Sequence, residues 1–319
     1  MTRTTLIPFL IGLAFLATPS QTRAQIAGQP GSYSRLGFGA RGIAMGNAMT
    51  AVDDGEIAGY YNPALLPFTQ RKSISASAGF LTLDRKLNFL GFSAPLPPSA
   101  GVALGIINSG VSMIDGRDGD GRQTGMLRMS ENTAFLAFAL RFPAGFSAGV
   151  TLKLLYAHLY TDMTSTTVGL DAGVFVPINS FLHAAVTVRD IGSKYKWDSS
   201  QLYGLDGKSS VDPFPRLYTL GLACILPDSI GIVSADLETS SEKTLNLRIG
   251  AEYPVIEALT LRAGIDRIDL KESGSGIRPA LGFMVQRGMD SWTPALEYTY
   301  VIEPFTTSGI HLISLNVIF

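Results

Sequence analysis

From Lys72 to the C-terminus the chain alternates apolar with polar residues, and this period of two limits the possible folds more than any other feature. Successive side chains of a strand point to opposite faces, so each alternating segment presents one apolar and one polar surface. Candidate strands lie at 73–83, 86–95, 100–111, 131–142, 145–160, 166–178, 181–191, 215–226, 229–238, 243–255, 259–267, 277–287, 293–303 and 309–319. That is about fourteen, an even number as a single-chain bacterial barrel requires, with lengths suited to tilted spanning strands. In one segment Phe146, Ala148, Val150, Leu152, Leu154 and Tyr156 share a face, and Ser147, Gly149, Thr151 and Lys153 share the other. The apolar face is expected to meet lipid and the polar face a lumen. Tyr156, Tyr160, Tyr218, Tyr253, Tyr298, Tyr300 and Phe319 fall near strand ends, where interfacial girdles sit.

Composition decides between a soluble β-protein and a membrane one. The chain is 46% hydrophobic and 16% charged, with mean hydropathy +0.24. Residues 1–24 read as a secretory signal: Arg3 precedes the apolar run Leu6–Ala17, and Thr22-Arg23-Ala24 ends on the small residue that cleavage needs. Downstream no stretch reaches the ~18 apolar residues of a spanning helix. An exported, apolar, helix-poor chain points to a closed barrel, because closure pairs every backbone group in lipid. The expected location is the outer membrane of a Gram-negative bacterium.

The connections test this independently. With the N-terminal segment periplasmic, every second connection is expected to be a short turn. Leu96–Ser99, Pro143–Gly145, Pro177–Ser180, Pro227-Asp228, Pro254–Ala258 and Gly288–Trp292 all are short. The two long loops, near 112–130 and 192–214, fall on the opposite side. The final strand carries Ile313, Leu315, Val317 and Phe319 on one face. Its terminal Phe319 looks like the signal by which such barrels are recognised for assembly. Outer-membrane lipid and the barrel assembly machinery are therefore expected partners.

Residues 25–71 do not read as strand, and 72–319 form the expected barrel. Small residues crowd Leu36–Phe68: Gly37, Gly39, Ala40, Gly42, Ala44, Gly46, Ala48 and Ala51, followed by Asp53-Asp54 and Asn62-Pro63-Ala64. Asn62 suits an N-cap and Pro63 the first helical position. The expectation is a thin plug of short helices threaded into the lumen. Gly42 and Gly46 are expected to let its backbone approach the inner wall, and Asn62 and Pro63, with Ala64, to set the turn into the first strand. Gly37-Phe38-Gly39-Ala40-Arg41-Gly42 matches a dinucleotide fingerprint in letters only, since no strand precedes it and no parallel unit surrounds it.

The inward faces carry Lys153, Arg189, Arg248, Arg262 and Arg278 against Asp171, Asp236, Glu252, Asp266 and Glu297. An unpaired charge in a crowded interior costs several kcal/mol, so these groups are expected to pair and cross-link a plugged lumen. A selectivity pore would show rings of one sign. Asp115-Gly116-Arg117-Asp118-Gly119-Asp120-Gly121 only partly fits a calcium loop, with Gly116 in place of the first acidic ligand and no closing Glu. It is read as a turn-rich surface loop, and no metal or cofactor is assigned. The second long loop holds Tyr195, Trp197, Tyr203, Phe214 and Tyr218; these suit a partner contact, a shield over an apolar mouth or a seat on the membrane interface. His158, His183 and His311 lack ligand spacing, and the lone Cys224 reads as a small hydrophobe. No catalytic set is present, so an enzyme is not expected. A net charge of −1 with no basic stripe excludes a nucleic-acid binder.

Ala40-Arg41-Gly42-Ile43-Ala44-Met45-Gly46, then Ala51 and Asp53-Asp54, then Tyr60-Tyr61-Asn62-Pro63-Ala64, resembles the start of the PorV/PorQ family, within the wider FadL-like outer-membrane barrels. The resemblance implies a plug carrying the Asn-Pro-Ala tripeptide inside a fourteen-stranded barrel. It also implies two functions. PorV-like members act in type IX secretion by binding exported cargo proteins or other secretion components, and this is the expected role. FadL-like members pass hydrophobic small molecules through the barrel wall or lumen, and this is the alternative.

Overall fold

The computed structural model describes residues 28–53, 55, 57–160, 163–227, 230–271, 276–304, 306 and 308–319. The expected signal segment and Asp54 lie outside the described residues. Alternation is realised as strand throughout. The first half of the wall is β1 (Ser73–Phe80), β2 (Arg85–Leu96), β3 (Ala100–Arg117), β4 (Gln123–Arg141), β5 (Ser147–Tyr160), β6 (Met163–Pro177) and β7 (Leu182–Ile191). A separate two-stranded hairpin follows, β8 (Lys194–Asp198) with β9 (Ser209–Pro213). The second half is β10 (Leu217–Ile225), β11 (Ile232–Ser240), β12 (Leu245–Ile256), β13 (Leu259–Asp269), β14 (Arg278–Gln286), β15 (Thr293–Val301) and β16 (Ile310–Ile318).

All strands but β8 and β9 close into one antiparallel barrel, and β1 seals it by pairing with β16 from Ser73↔Ile318 to Phe80↔His311. Closure leaves no free edge in the hydrocarbon. The outer face is an apolar belt: Leu90, Leu104, Ile106, Leu136, Val150, Leu152, Leu220, Leu281 and Leu315 are each about half exposed or more. In water such a belt would be a large liability; in lipid it is the solvating surface. The chain is thus a fourteen-stranded outer-membrane β-barrel. Phe319 directly follows the last strand, with its backbone paired to Lys72.

The fully buried side chains sit inside the barrel and come largely from the plug: Phe38, Met45, Met49, Val52, Leu65 and Leu66. Two features depart from simple alternation. The first expected long loop is mostly strand, because β3 and β4 keep pairing through Ile114↔Leu127 to Arg117↔Gln123. They reach 18 and 19 residues, against 9 for β15 and for β16, so this hairpin stands well clear of the membrane. Asp115 belongs to β3 and pairs with Arg117 at 2.6 Å, while Asp118 caps the tip by accepting the N–H groups of Asp120 and Arg122. Second, the wall bulges at Arg189-Asp190 opposite Asp171 and at Asp266-Arg267 opposite Arg248. Asp190 and Arg267 each have φ of 61°, and each bulge brings two consecutive charged residues towards the lumen side.

Candidate functional site

The plug runs through two short helices, α1 (Ala40–Ala44) and α2 (Ala58–Tyr61), into a 3-10 turn, Pro63–Phe68. Helix α1 has no side-chain cap of its own. The wall supplies the partners instead: Ala40 N–H donates to Ser314 Oγ (2.8 Å) and Arg41 N–H to Glu297 Oε2 (3.2 Å). Thr299 donates its hydroxyl to the Ala40 carbonyl at 2.6 Å. Orphan donors of a helix start are thereby satisfied by residues more than two hundred positions away.

Gly46 is where plug and wall backbones meet. A Cβ there would lie 2.6 Å from Ile265 N and 2.7 Å from Ile249 O, and φ is 60°. Gly250 and Gly264 of the wall face the same spot, against Met45 and Gly46. Gly42, in contrast, does not lean on the wall: its missing side chain makes room for Tyr61 inside the plug. The Tyr61 phenol, its pKa pushed up by burial, donates to Asn47 Oδ1 at 2.7 Å.

The lumen charges form linked sets. Arg41 of the plug grips Glu252 through Nε and Nη2 at 2.8 and 2.9 Å, and Arg262 joins Glu252 (2.6 Å) to Glu297 (2.7 Å). Arg248 takes Glu238 with both terminal nitrogens at 2.8 Å and Asp266 through Nε at 2.8 Å. Arg278 bridges Asp266 (3.3 Å) and Glu303 (2.6 Å). Lys153 holds Asp171 (2.6 Å) and Asp190 (2.5 Å). Arg189 stands only 4.0 Å from Asp171 and places its guanidinium on the Tyr60 ring, donating to the Tyr60 hydroxyl at 2.8 Å. Asp236 corrects the sequence reading, because it forms no salt bridge among the described residues. It accepts the Thr50 N–H at 3.1 Å and the Thr50 hydroxyl at 2.6 Å, so it fixes the plug rather than another strand. Arg41, Thr50, Tyr60, Asp190, Glu238 and Glu303 were missed. Glu238 was legible, since it shares the period-two face of Asp236. Asp190 was not, because period two sends the neighbour of Arg189 to lipid.

The lumen is not polar all round. On β2, β3 and β4 the inward residues Leu87, Phe89, Ile107 and Phe135 are buried against Phe38 and Tyr60 of the plug. Below them Ala103, Ala137 and Ala139 surround Leu66. This sector is apolar on both faces, and it corrects the expectation of a uniformly polar lumen. The signal was present: Phe135-Leu136-Ala137-Phe138-Ala139-Leu140 contains no polar residue. On the opposite side the packing leaves a polar void of about 10 Å³, the size of a single water, among Ser34, Arg35, Asn47, Thr187, Arg189 and Glu238.

Next to the apolar sector lies the Asn62-Pro63-Ala64 turn. Asn62 Oδ1 accepts the Ala64 N–H at 2.9 Å, and its amide donates to the Thr50 carbonyl at 2.9 Å. Ser147 donates to the Ala64 carbonyl at 2.5 Å. A Cβ on Gly149 would lie 2.8 Å from Pro63 C, and one on Gly173 would overlap the Asn62 amide. On the lipid side of these same glycines is an apolar groove of about 450 Å³, walled by Phe138, Leu140, Val150, Val174, Val186 and Val188. Here the wall between plug and membrane is one glycine backbone thick.

The outer mouth is covered by the β8–β9 hairpin. Tyr195, Trp197 and Phe214 are buried against Leu155 and Ala157. Tyr195 donates to Glu131 at 2.8 Å, and Lys196 N–H to Ser165 at 2.8 Å. Phe214 packs where a side chain on Gly31 of the plug would lie. Three of the loop aromatics therefore shield the mouth, while Tyr203 is 66% exposed.

No family model matches the chain, and no curated protein matches it. Solved structures do. The Pseudomonas putida toluene transporter TodX superposes with a TM-score of 0.61 at 15% identity, over 88% of this chain and 96% of TodX. The two chains share a fold. A TodX variant described as a monoaromatic hydrocarbon channel, lacking S2 and S3, gives 0.58 at 14% identity over 88% of this chain and 97% of that one. Membership of the narrower PorV/PorQ family does not follow from these matches.

Proposed function

We propose that this barrel conducts uncharged hydrophobic small molecules passively across the outer membrane. The observation that carries the reading is the apolar inner sector of β2–β4. Porin-like passage of polar solutes has no use for Leu87, Phe89, Ile107 and Phe135 on the lumen face, whereas an apolar solute is solvated by them. The ion-paired sector anchors the plug on one side, and the packing is apolar on the other. A modest shift of the Tyr60 and Phe38 side of the plug would open space along the apolar sector without breaking a buried ion pair. The likeness to TodX, a toluene transporter and monoaromatic hydrocarbon channel, supports the same solute class. It favours this reading over the secretion role that the plug motif implies.

The test is uptake of radiolabelled toluene at low concentration by cells that carry the barrel as their sole channel of this type. Wild type is expected to raise the initial rate several-fold over empty cells, and Phe135→Ser is expected to lose most of that gain while folding normally. Equal rates with and without the barrel would overturn the reading. Gentle purification followed by mass spectrometry tests the secretion role: exported proteins sharing a C-terminal domain, bound in stoichiometric amount, would replace hydrocarbon passage with cargo binding.

A further inference from the structure

The lipid-facing side of the wall changes character across β2–β6. There the outward residues of neighbouring strands run in register as continuous rows. The row Leu90↔Ile106↔Ala134↔Leu154↔Val168 is apolar throughout. The next row towards the outer mouth is Asn88↔Asn108↔Asn132↔Tyr156↔Thr166. The row above that is Lys86↔Gly110↔Ser130↔His158↔Thr164. The asparagines are bonded to one another: Asn88 donates to Asn108 at 3.3 Å, and Asn108 to Asn132 at 2.7 Å. Tyr156 in the same row marks it as the edge of the hydrocarbon, where interfacial aromatics sit. Arg128, two residues beyond Ser130, continues the outward column of β4; it is exposed, and so is Lys86. On the far wall the outward residues near the strand ends are instead Tyr218 of β10 and Tyr300 of β15.

We propose that this β2–β6 platform binds the bisphosphorylated glucosamine-disaccharide head of lipid A, the glycolipid of the outer leaflet. Three observations point to that occupant. The first is height: the polar rows begin where the apolar belt stops, at the level of the lipid heads. The second is charge. Lys86 and Arg128 make no ion pair among the described residues, and no carboxylate stands in the outward rows. The neighbouring acids are turned elsewhere: Glu131 accepts from Tyr195 on the inner side, Asp115 pairs with Arg117, and Asp84 lies on the turn beyond Lys86. The third is spacing. A strand separation of about 4.8 Å and a rise of about 3.4 Å per residue put the Lys86 and Arg128 Cα atoms about 12 Å apart. Their long side chains can therefore reach the two phosphates at opposite ends of one disaccharide, whereas a glycerophospholipid brings a single phosphate. Between them the ladder leaves the Asn132 amide as a donor and the Asn88 carbonyl as an acceptor, which suit the hydroxyls and amides of the sugar. A head held in this way braces the base of the β3–β4 hairpin, whose strands of 18 and 19 residues rise past the membrane on this side.

The test is lipid titration of the whole barrel in mild non-ionic detergent, with bound lipid counted by native mass spectrometry at fixed ionic strength. The probes are bisphosphorylated lipid A, its monophosphorylated form and phosphatidylglycerol. Wild type is expected to bind bisphosphorylated lipid A several-fold tighter than phosphatidylglycerol, with the monophosphorylated form between them. The double variant Lys86→Gln/Arg128→Gln is expected to lose most of that preference while keeping wild-type heat-modifiable migration, since both side chains are exposed. Lys208→Gln, which removes an exposed cation of the mouth loop, is expected to bind as wild type does. Equal wild-type affinity for lipid A and phosphatidylglycerol would overturn the site, and so would a loss in Lys208→Gln as large as that in the double variant; either would reduce it to general attraction of anionic lipid. Unchanged lipid A binding in the double variant would place the glycolipid elsewhere on the wall and overturn it as well.

Discussion

Arg41 and Glu252, 211 residues apart, face each other through two hydrogen bonds of 2.8 and 2.9 Å, one partner on the plug and the other on the wall. With Arg262 on the far side of Glu252, the plug is cross-linked to the barrel in a site from which water is largely excluded. Such a pair is weak evidence for net stability, but removing one member leaves a buried charge short of partners, at a cost of about 3–5 kcal/mol. Arg41→Ala is expected to loosen the plug without preventing barrel closure. The measurement is single-channel conductance in planar bilayers together with heat-modifiable migration. Wild type is expected to be closed and the variant to show frequent openings, with both migrating as folded barrels.

Gly46→Leu is expected to be more severe. The new Cβ has only 2.6–2.7 Å to backbone atoms of Ile265 and Ile249, and backbone does not yield as a side chain end does. The φ of 60° adds about 1–3 kcal/mol of strain for a non-glycine residue. Assembly is expected to fail, or the plug to be expelled. A variant with wild-type heat-modifiable migration and no added leakage of polar solutes would contradict this account of the contact.

Asn62 uses both ends of its amide, so two substitutions separate its roles. Asn62→Asp keeps the acceptor for Ala64 N–H and loses the donor to the Thr50 carbonyl; Asn62→Ala loses both. The capping bond alone is worth about 1 kcal/mol. Thermal unfolding in detergent is expected to rank wild type above Asn62→Ala and Asn62→Asp lowest, because a carboxylate at this fully buried position faces the Thr50 carbonyl with no cation beside it among the described residues and costs more than the retained cap returns. Asn62→Asp as stable as wild type would show that the donor to Thr50 contributes nothing.

Tyr195→Phe deletes the bond that ties the β8–β9 hairpin to Glu131 while keeping the ring packed on Trp197 and Phe214. The hairpin is expected to sample open positions more often. In a Trp292→Phe background, where Trp197 is the remaining tryptophan, acrylamide quenching is expected to increase by about twofold or more for a loss of roughly 1 kcal/mol in the closed state. Unchanged quenching would mean that the aromatic cluster and the Lys196–Ser165 bond hold the mouth shut without the Tyr195–Glu131 bond.

Much of this architecture is legible in the chain. Period two, with short connections on one side, specifies strand number, facing and closure, because each depends on local alternation and on the need to pair every backbone group in lipid. The Asn62-Pro63-Ala64 cap was legible for the same reason: its key bond spans two residues. What alternation could not reveal lies where the backbone leaves the period or where partners come from opposite ends of the chain. Asp190 turns inward only because a bulge at φ 61° shifts the facing, and that bulge is fixed by Lys153 on β5. Asp236 was expected to bind a cation and holds Thr50 instead, since its register partner Arg248 is already taken by Glu238 and Asp266. The sequence by itself determined a closed barrel with a thin N-terminal plug. Only the tertiary structure decided which plug residues meet the charged side of the lumen and which the apolar side, because those contacts join distant parts of the chain and local periodicity carries no information about them.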